Sequence, residues 1–258
     1  MKEGQRRIYL LDELRGFAIV CMVFHHMFYD IGFVLGYDIG YRIFDFLCIF
    51  QPLFWALFIV TSGICSRLSR NTVRRGVIVF AAGLIVTLVT AVIMPAMGIT
   101  GAEIYFGVLS CLGLCMIITG AFMPLINRLG TRGSIAGAVI SAVLFLITYT
   151  VNSGSLLFGL IELPAALYET NYLAFLGFHN GNFFSADYFS LIPWLFLFLF
   201  GAFLGKWAKE QALPQGFYKS RVKFLQKIGK NSLWIYLLHQ PALYAIMYLI
   251  SFIQLLFI

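Results

Sequence analysis

Apolar runs of about 20 residues recur along the whole chain, and they restrict its fold more than any other feature of the sequence. A helix of that length crosses the ~30 Å hydrocarbon core of a bilayer. Only 11% of the 258 residues are charged, whereas about a quarter of a soluble domain is charged. We therefore predict an all-α integral membrane protein, with one transmembrane domain over residues 1–258. Its seven spans are expected at roughly 12–34, 43–66, 75–94, 104–126, 133–151, 187–205 and 232–257.

The basic residues predict how these spans are oriented. Of the 18 Lys and Arg residues, all but Arg42 lie in or beside the N-terminal segment and the second, fourth and sixth connections. Cytoplasmic loops are enriched in Lys and Arg, so the N-terminus is expected in the cytoplasm and the C-terminus outside. This topology accounts for the net charge of +7, and the chain lacks the basic and aromatic face that nucleic-acid binding requires. We therefore expect the protein to lie in a lipid bilayer.

The cysteines give no sign of a metal site. Five cysteines all fall inside predicted spans, and none forms a CxxC or Cys/His pattern with zinc spacing: Cys21, Cys48, Cys65, Cys111 and Cys115. We therefore expect no metal and no permanently bound cofactor.

The first predicted span, "LRGFAIVCMVFHHMFYD", contains polar groups that lipid disfavours. At 100° per residue, Arg15 and His26 lie on one stripe of the helix, separated by a rise of about 16 Å, and Asp30 follows one turn later. Ionisable groups within a membrane usually mark a site or pathway. The alternatives are an arginine that extends to the interface and a histidine hydrogen-bonded between helices. His25 points about 100° away and is expected to be structural.

The last predicted span, "GKNSLWIYLLHQPALY", repeats this pattern. Pro241 cannot donate to the helix ladder, which frees the carbonyl of Leu237 near His239. A kink with a satisfied histidine is the structural alternative to a functional role. If the role is functional, His26 and His239 could line one cavity.

Several segments resemble the transmembrane acyltransferase superfamily, and in particular its bacterial branch named after heparan-α-glucosaminide N-acetyltransferase. They are "RGFAIVCMVFHHMFYD", with ten residues between the arginine and the second histidine, "FIVTSGICSRLSRNTVRRG", "FGVLSCLGL", "DYFSLIPWLFLFLFGAFLG" and "GKNSLWIYLLHQP". The family's histidine corresponds to His26. Ser110 and Ser190 depart from the family pattern, in which His or Gln and Pro are usual.

The resemblance implies a protein of a bacterial cytoplasmic membrane that transfers an acyl group, expected to be acetyl. The donor is cytoplasmic acyl-CoA, and the acceptor is a hydroxyl or amino group of an external molecule such as a sugar. An imidazole is a suitable base near pH 7, so His26 is the predicted catalytic base and Asp30 its support. The predicted acyl-CoA ligands are cations and small polar groups near the cytoplasmic side, together with the second histidine: Arg15, Arg67, Arg70, Arg74, Ser62, Ser66 and His239. The loop arginines could instead serve topology alone.

At the outer side, Asp187 and Trp194 are the predicted acceptor-binding residues. The alternatives are that Asp187 caps the sixth helix and that the aromatic residues nearby anchor the protein at the interface. In the preceding connection, "LLFGLIELPAALYE" is expected to form a short amphipathic helix in the interface.

Two other functions use the same residues. His26, Asp30 and His239 could form the relay of a proton-coupled transporter, although the chain shows no matching halves with broken helices. The polar groups could also join helices in a non-catalytic subunit. The expected partners are the bilayer, acyl-CoA and an external sugar or glycan, and the protein is expected as a monomer or a homodimer.

Overall fold

The prediction of seven membrane-spanning helices is confirmed. The structure is a computed structural model that describes residues 6–256, with side chains as far as Ile253. Seven helices in this range are long and apolar enough to cross a membrane. Many of their large apolar side chains are exposed, as in Ile49 and Ile85, which is the pattern expected where lipid covers a surface.

The described part of the chain contains eight helices of eight or more residues. They are α1 (Tyr9–Phe33), α2 (Asp38–Leu68), α3 (Thr72–Ala96, with a π-helical turn at Val89–Ile93), α4 (Val108–Arg128), α5 (Thr131–Thr148), α6 (Leu191–Lys209), α7 (Lys223–Lys230) and α8 (Ser232–Leu256). All except α7 are candidate spans. The chain divides into two compact units, one of residues up to Thr61 with those from Leu213 onward, the other Ser62–Ala212.

In the first unit, the short helix α7 packs closely against α1. A Cβ at Gly16 would overlap the carbonyl of Leu225, and one at Gly229 would overlap the carbonyl of Asp12. Glycine at both positions therefore permits a backbone-to-backbone approach. The buried carboxylate of Glu13 accepts hydrogen bonds from the backbone N–H groups of Arg221 and Val222, at 2.7 and 3.0 Å, just before α7 begins. Glu13 thus ties the start of α7 to α1.

In the second unit, glycines let α3 and α4 approach each other. Gly76 and Gly83 on α3 are seven residues apart, as are Gly113 and Gly120 on α4. A Cβ at any of the four would lie within 3 Å of atoms of the facing helix. Small residues at helical spacing are typical of membrane helix interfaces, where close van der Waals contact stabilises the pair. The pair α5 and α6 packs similarly, with Phe203 against Gly137.

The connection between α5 and α6 differs from the expected amphipathic helix. Residues Ser155–Leu156 (β1) and Ile161–Glu162 (β2) form a small antiparallel hairpin, and short 3-10 turns follow. The prediction of an α-helix here was wrong because Leu157, Phe158 and Gly159 adopt positive φ angles in the turn that reverses the chain. Pro164 then precedes the turn Ala165–Tyr168.

Helix α6 begins at Leu191, about four residues later than the apolar run suggested. The residues before it are held instead by backbone hydrogen bonds to the segment before α4. Ala186 N–H donates to Glu103 O and Phe189 N–H to Phe106 O, at 2.9 and 3.0 Å. Apolar side chains in 187–190 therefore belong to a paired loop, which hydropathy alone does not distinguish from a helix.

Candidate functional site

The imidazoles of His26 and His239 are neighbours in the first unit. Their ring centroids are 5.1 Å apart, and the ring planes are inclined by 53°. His26 lies on α1 and His239 on α8, so the two polar stripes found in the sequence meet at this pair. The structure therefore brings together two residues separated by more than 200 positions in the chain.

The hydrogen bonding of His239 determines which of its nitrogens carries a proton. Its Nδ1 lies 2.5 Å from the backbone carbonyl oxygen of Tyr236. A carbonyl oxygen only accepts, so Nδ1 carries the proton, and in the neutral ring Nε2 then has a lone pair. This Nε2 is buried and has no hydrogen-bond partner among the described residues. The carbonyl that His239 contacts is that of Tyr236, the residue before Leu237.

The carboxylate of Asp30 is completely buried and is hydrogen-bonded to α8. Gln240 Nε2 donates to its two oxygens at 3.3 and 3.2 Å. Gln240 Oε1 is itself buried and has no partner among the described residues. The sequence interpretation did not include Gln240 in the site, although an amide beside His239 within an apolar run was a usable signal. Asp30 and Gln240 thus form a second polar contact between α1 and α8.

His25 faces a different neighbour from His26. Its ring packs on Phe44 of α2 with centroids 4.7 Å apart, and its Nε2 lies 3.5 Å from Cys48 Sγ. The side chain is buried in this helix contact. These contacts give His25 a packing role.

Arg15 belongs to an ion cluster at the start of α1. Its guanidinium pairs with Asp12, whose carboxylate also accepts two hydrogen bonds from Arg7 at 2.9 and 2.7 Å. The Arg15 side chain is largely buried, and its Nε has no partner among the described residues. Arg15 therefore retains a donor that is not used by Asp12.

Arg67 is a buried residue of the second unit. Its guanidinium donates to the carbonyl oxygens of Ile126 on α4 and Ala202 on α6, at 3.1 and 3.4 Å. Two of its N–H donors therefore link α2 to α4 and α6. The arginines that follow, Arg70 and Arg74, are exposed around the α2–α3 turn, where the Asn71 side chain caps α3.

The two predicted serine ligands have different surroundings. Ser66 is buried, and its hydroxyl donates to the carbonyl oxygen of Gly63 at 2.6 Å. Its own carbonyl oxygen accepts from the Thr72 hydroxyl at 2.7 Å. Ser62, one turn earlier in α2, is half-buried. Ser66 thus contributes to the turn that leads into α3.

Asp187 and Trp194 both have structural neighbours in the second unit. Asp187 Oδ2 accepts from the backbone N–H of Val108 at 3.0 Å, so this carboxylate caps α4. The alternative that it caps α6 was wrong, because α6 begins only at Leu191. A negative charge at the start of a helix interacts favourably with the helix dipole. Trp194 is buried, with ring centroids of Phe145 and Phe189 at 5.7 and 5.3 Å.

The fold and these polar contacts define a polytopic membrane protein with an intramembrane histidine pair and a buried carboxylate. The sequence model of a family described as heparan-alpha-glucosaminide N-acetyltransferase, catalytic, matches residues 7–241. The chain belongs to this family, as the resemblance of its segments indicated, and is a membrane protein of the acetyltransferase class. No curated protein and no solved structure gives a significant match to the chain.

Proposed function

We propose that this protein transfers an acetyl group from cytoplasmic acetyl-CoA to a hydroxyl or amino group of a sugar on the opposite side of the membrane. Family membership supports the transferase class. The observation that carries the proposal is the pair of His26 and His239, in which a buried, lone-pair-bearing Nε2 adjoins a second imidazole. Attack on a thioester requires a group that accepts a proton near neutral pH, and imidazole has that property.

In the proposed reaction, His26 takes the proton from the acceptor's O–H or N–H group. The freed electron pair attacks the thioester carbonyl carbon, and a C–O or C–N bond forms. The C–S bond then breaks as the tetrahedral intermediate collapses, and the CoA thiolate takes the proton held by His26. The imidazole returns to its neutral form, so no further reactant is needed.

His239 and Asp30 support the proton on His26 in this mechanism. A protonated His26 needs a hydrogen-bond acceptor, and Nε2 of His239 is one on the adjoining ring. The negative charge of Asp30, one helical turn beyond His26, favours the imidazolium electrostatically. Gln240 fixes the position of that carboxylate through its two hydrogen bonds. Loss of Asp30 or Gln240 is expected to slow the reaction and leave donor affinity unchanged. Loss of His239, which is also a predicted acyl-CoA ligand, is expected to lower both the rate and the donor affinity.

Arg15, Arg70 and Arg74 are proposed to bind the phosphates of CoA. Arg15→Ala, Arg70→Ala and Arg74→Ala should each weaken acetyl-CoA binding about tenfold or more, because a charge-assisted hydrogen bond contributes about 1.5–3 kcal/mol. Affinity would be measured by titration calorimetry on protein in lipid nanodiscs. Unchanged affinity in all three variants would mean that these residues only orient the protein.

Arg67 provides the comparison for these arginines. Its two hydrogen bonds to helix carbonyls predict that Arg67→Ala chiefly lowers stability. Measuring its melting temperature beside its acetyl-CoA affinity separates the two roles. If Arg67→Ala keeps the wild-type melting temperature but binds acetyl-CoA more weakly, Arg67 acts as a ligand of the donor, as predicted for it and for Ser62 and Ser66.

The proposed function is tested by release of free thiol. Purified protein is mixed with acetyl-CoA and a panel of mono- and oligosaccharides, and CoA thiol is measured together with acetylated sugar by mass spectrometry. We expect thiol release that depends on one or more sugars and equals the acetyl group transferred. A proton-coupled transporter with the same histidines would instead move substrate in liposomes under a pH gradient and release no thiol.

A further inference from the structure

A cleft of about 560 Å³ lies between two connecting segments of the second unit, residues 97–107 and 154–190. Its volume is within the range of about 300–1,000 Å³ that is typical of small-ligand sites. Side chains of two kinds, aromatic rings and hydrogen-bonding groups, line it, including Glu103, Tyr105, Asn171, Tyr172, Asn182 and Phe184. None of these residues has a role in the acyl transfer proposed above.

Hydrogen bonds between the two segments hold the cleft in shape. Besides the backbone bonds of Ala186 and Phe189 to residues 103 and 106, the backbone N–H of Tyr105 donates to the Ser185 hydroxyl at 3.2 Å. Within the second segment, the hydroxyl of Tyr188 donates to the carbonyl oxygen of Ala174 at 2.5 Å. Burial raises the pKa of Tyr188, so this donor keeps its proton at neutral pH. The cleft is therefore preorganised.

An aromatic cluster forms part of the cleft wall. The ring of Phe183 packs against His179, Tyr188 and Tyr105, at centroid distances of 4.9, 5.1 and 6.1 Å. His179 is thus part of this cluster. At the rim, in contrast, Tyr172 is 87% exposed and Phe184 is 55% exposed. These two rings have faces available to a ligand.

The polar groups of the cleft are oriented by their own hydrogen bonds. Asn171 Oδ1 accepts from the backbone N–H of Asn180 at 3.0 Å, which leaves its amide NH₂ as a donor for a ligand. Glu103 Oε2 accepts from the backbone N–H of Gly101 at 2.8 Å, which leaves its other oxygen as an acceptor. Asn182 adds a second amide to the lining. Donors and acceptors are thus placed beside the exposed aromatic faces.

The charge of the two segments excludes an anionic ligand. Residues 97–107 and 154–190 contain four acidic residues and no Lys or Arg: Glu103, Glu162, Glu169 and Asp187. Phosphate and carboxylate groups are normally bound by cations, which this cleft lacks. A ligand with many hydroxyl groups and an apolar ring face, or with an amino group, fits these surroundings.

We propose that this cleft binds a neutral or amino saccharide. The C–H face of a pyranose ring would stack on Tyr172 or Phe184, and its hydroxyls would bond to Asn171, Asn182 and Glu103. That the bound glycan is the acetyl acceptor rests on the proposed function, whereas the binding of a saccharide here rests on the cleft alone.

Binding is tested by calorimetry on the full chain in lipid nanodiscs, since sugar-headed detergents would compete. The probes are cellotriose, a β-1,4-linked glucosamine trisaccharide and, as an anion, trigalacturonate. We expect the first two to bind and the third not to. Tyr172→Ala and Asn182→Ala should each weaken binding about 5- to 10-fold, in line with the loss of one aromatic or hydrogen-bonding contact. Glu103→Gln should weaken only the amino sugar.

Leu160→Ala is the matched control, because Leu160 is 84% exposed in the same connection but does not line the cleft. It should bind saccharide as the wild type does. Binding without acetyl transfer by the wild type would uphold the cleft and contradict the proposed function. Absence of saccharide binding, or equal affinity of Tyr172→Ala, Asn182→Ala and wild type, would overturn the cleft and identify the exposed rings as membrane anchors.

Discussion

Replacing His26 by alanine is expected to reduce acetyl transfer at least 100-fold, since general-base catalysis typically contributes about 10²–10⁴ in rate. The loss should appear in the rate at saturating donor and acceptor, because the proposed role of His26 is in the chemical step and not in binding. The measurement is the rate of acetyl transfer per folded protein molecule, with folding checked by size-exclusion chromatography and melting temperature.

The neighbouring histidines make this experiment specific. His25→Ala removes an imidazole that packs on Phe44 and lies near Cys48, so transfer should fall much less. His239→Phe keeps an aromatic ring beside His26 but removes the accepting nitrogen, and an intermediate loss is expected. Near-normal transfer by His26→Ala would defeat the mechanism. A larger loss in His25→Ala would show that the other histidine is the base.

Replacing Gly229 by alanine is expected to lower the melting temperature by about 3–10 °C, which corresponds to the ~1–3 kcal/mol cost of overpacking. In an open helix, alanine would instead add about 1 kcal/mol of stability. Here a Cβ would overlap the carbonyl of Asp12, and backbone cannot give way as a flexible side chain does. Trypsin should then cleave faster at the lysines of α7, because the helix no longer fits against α1.

Gly181→Ala is the control for this prediction. A Cβ at Gly181 would meet nothing within 4 Å, so the same change in chemistry should leave the melting temperature unchanged. Gly16→Ala, on the facing side of the contact, should reproduce the effect of Gly229→Ala. Wild-type stability in both Gly16→Ala and Gly229→Ala would mean that α7 is not packed on α1 as described.

The seven spans could be predicted from sequence because the hydrocarbon thickness fixes the length of a crossing helix. A similar membrane depth for His26 and His239 was a reasonable expectation from helix rise, since depth depends only on position along each helix. The contact of Gln240 with Asp30 was not predictable in this way. It depends on how α8 is rotated about its axis, which is set by packing.

Arg67 and Asp187 show a second limit of sequence reasoning. Both carry charge at places where a ligand could be bound, yet Arg67 bonds to carbonyls of α4 and α6 and Asp187 caps α4. A charge at the end of an apolar run has the same appearance whether it meets a ligand or a helix terminus. The three-dimensional structure is needed to distinguish a ligand-binding charge from one that caps a helix.

The attachment of α7 to α1 limits how deeply α1 can be inserted. Glu13 and His26 are thirteen residues apart on one helix, so their separation along the axis is about 20 Å and does not change when the helix shifts. Because α7 is tied to Glu13 and has exposed Lys223, Lys227 and Lys230, any deeper insertion of α1 would draw these charges toward hydrocarbon. The energetic cost of that movement therefore opposes deeper insertion of His26.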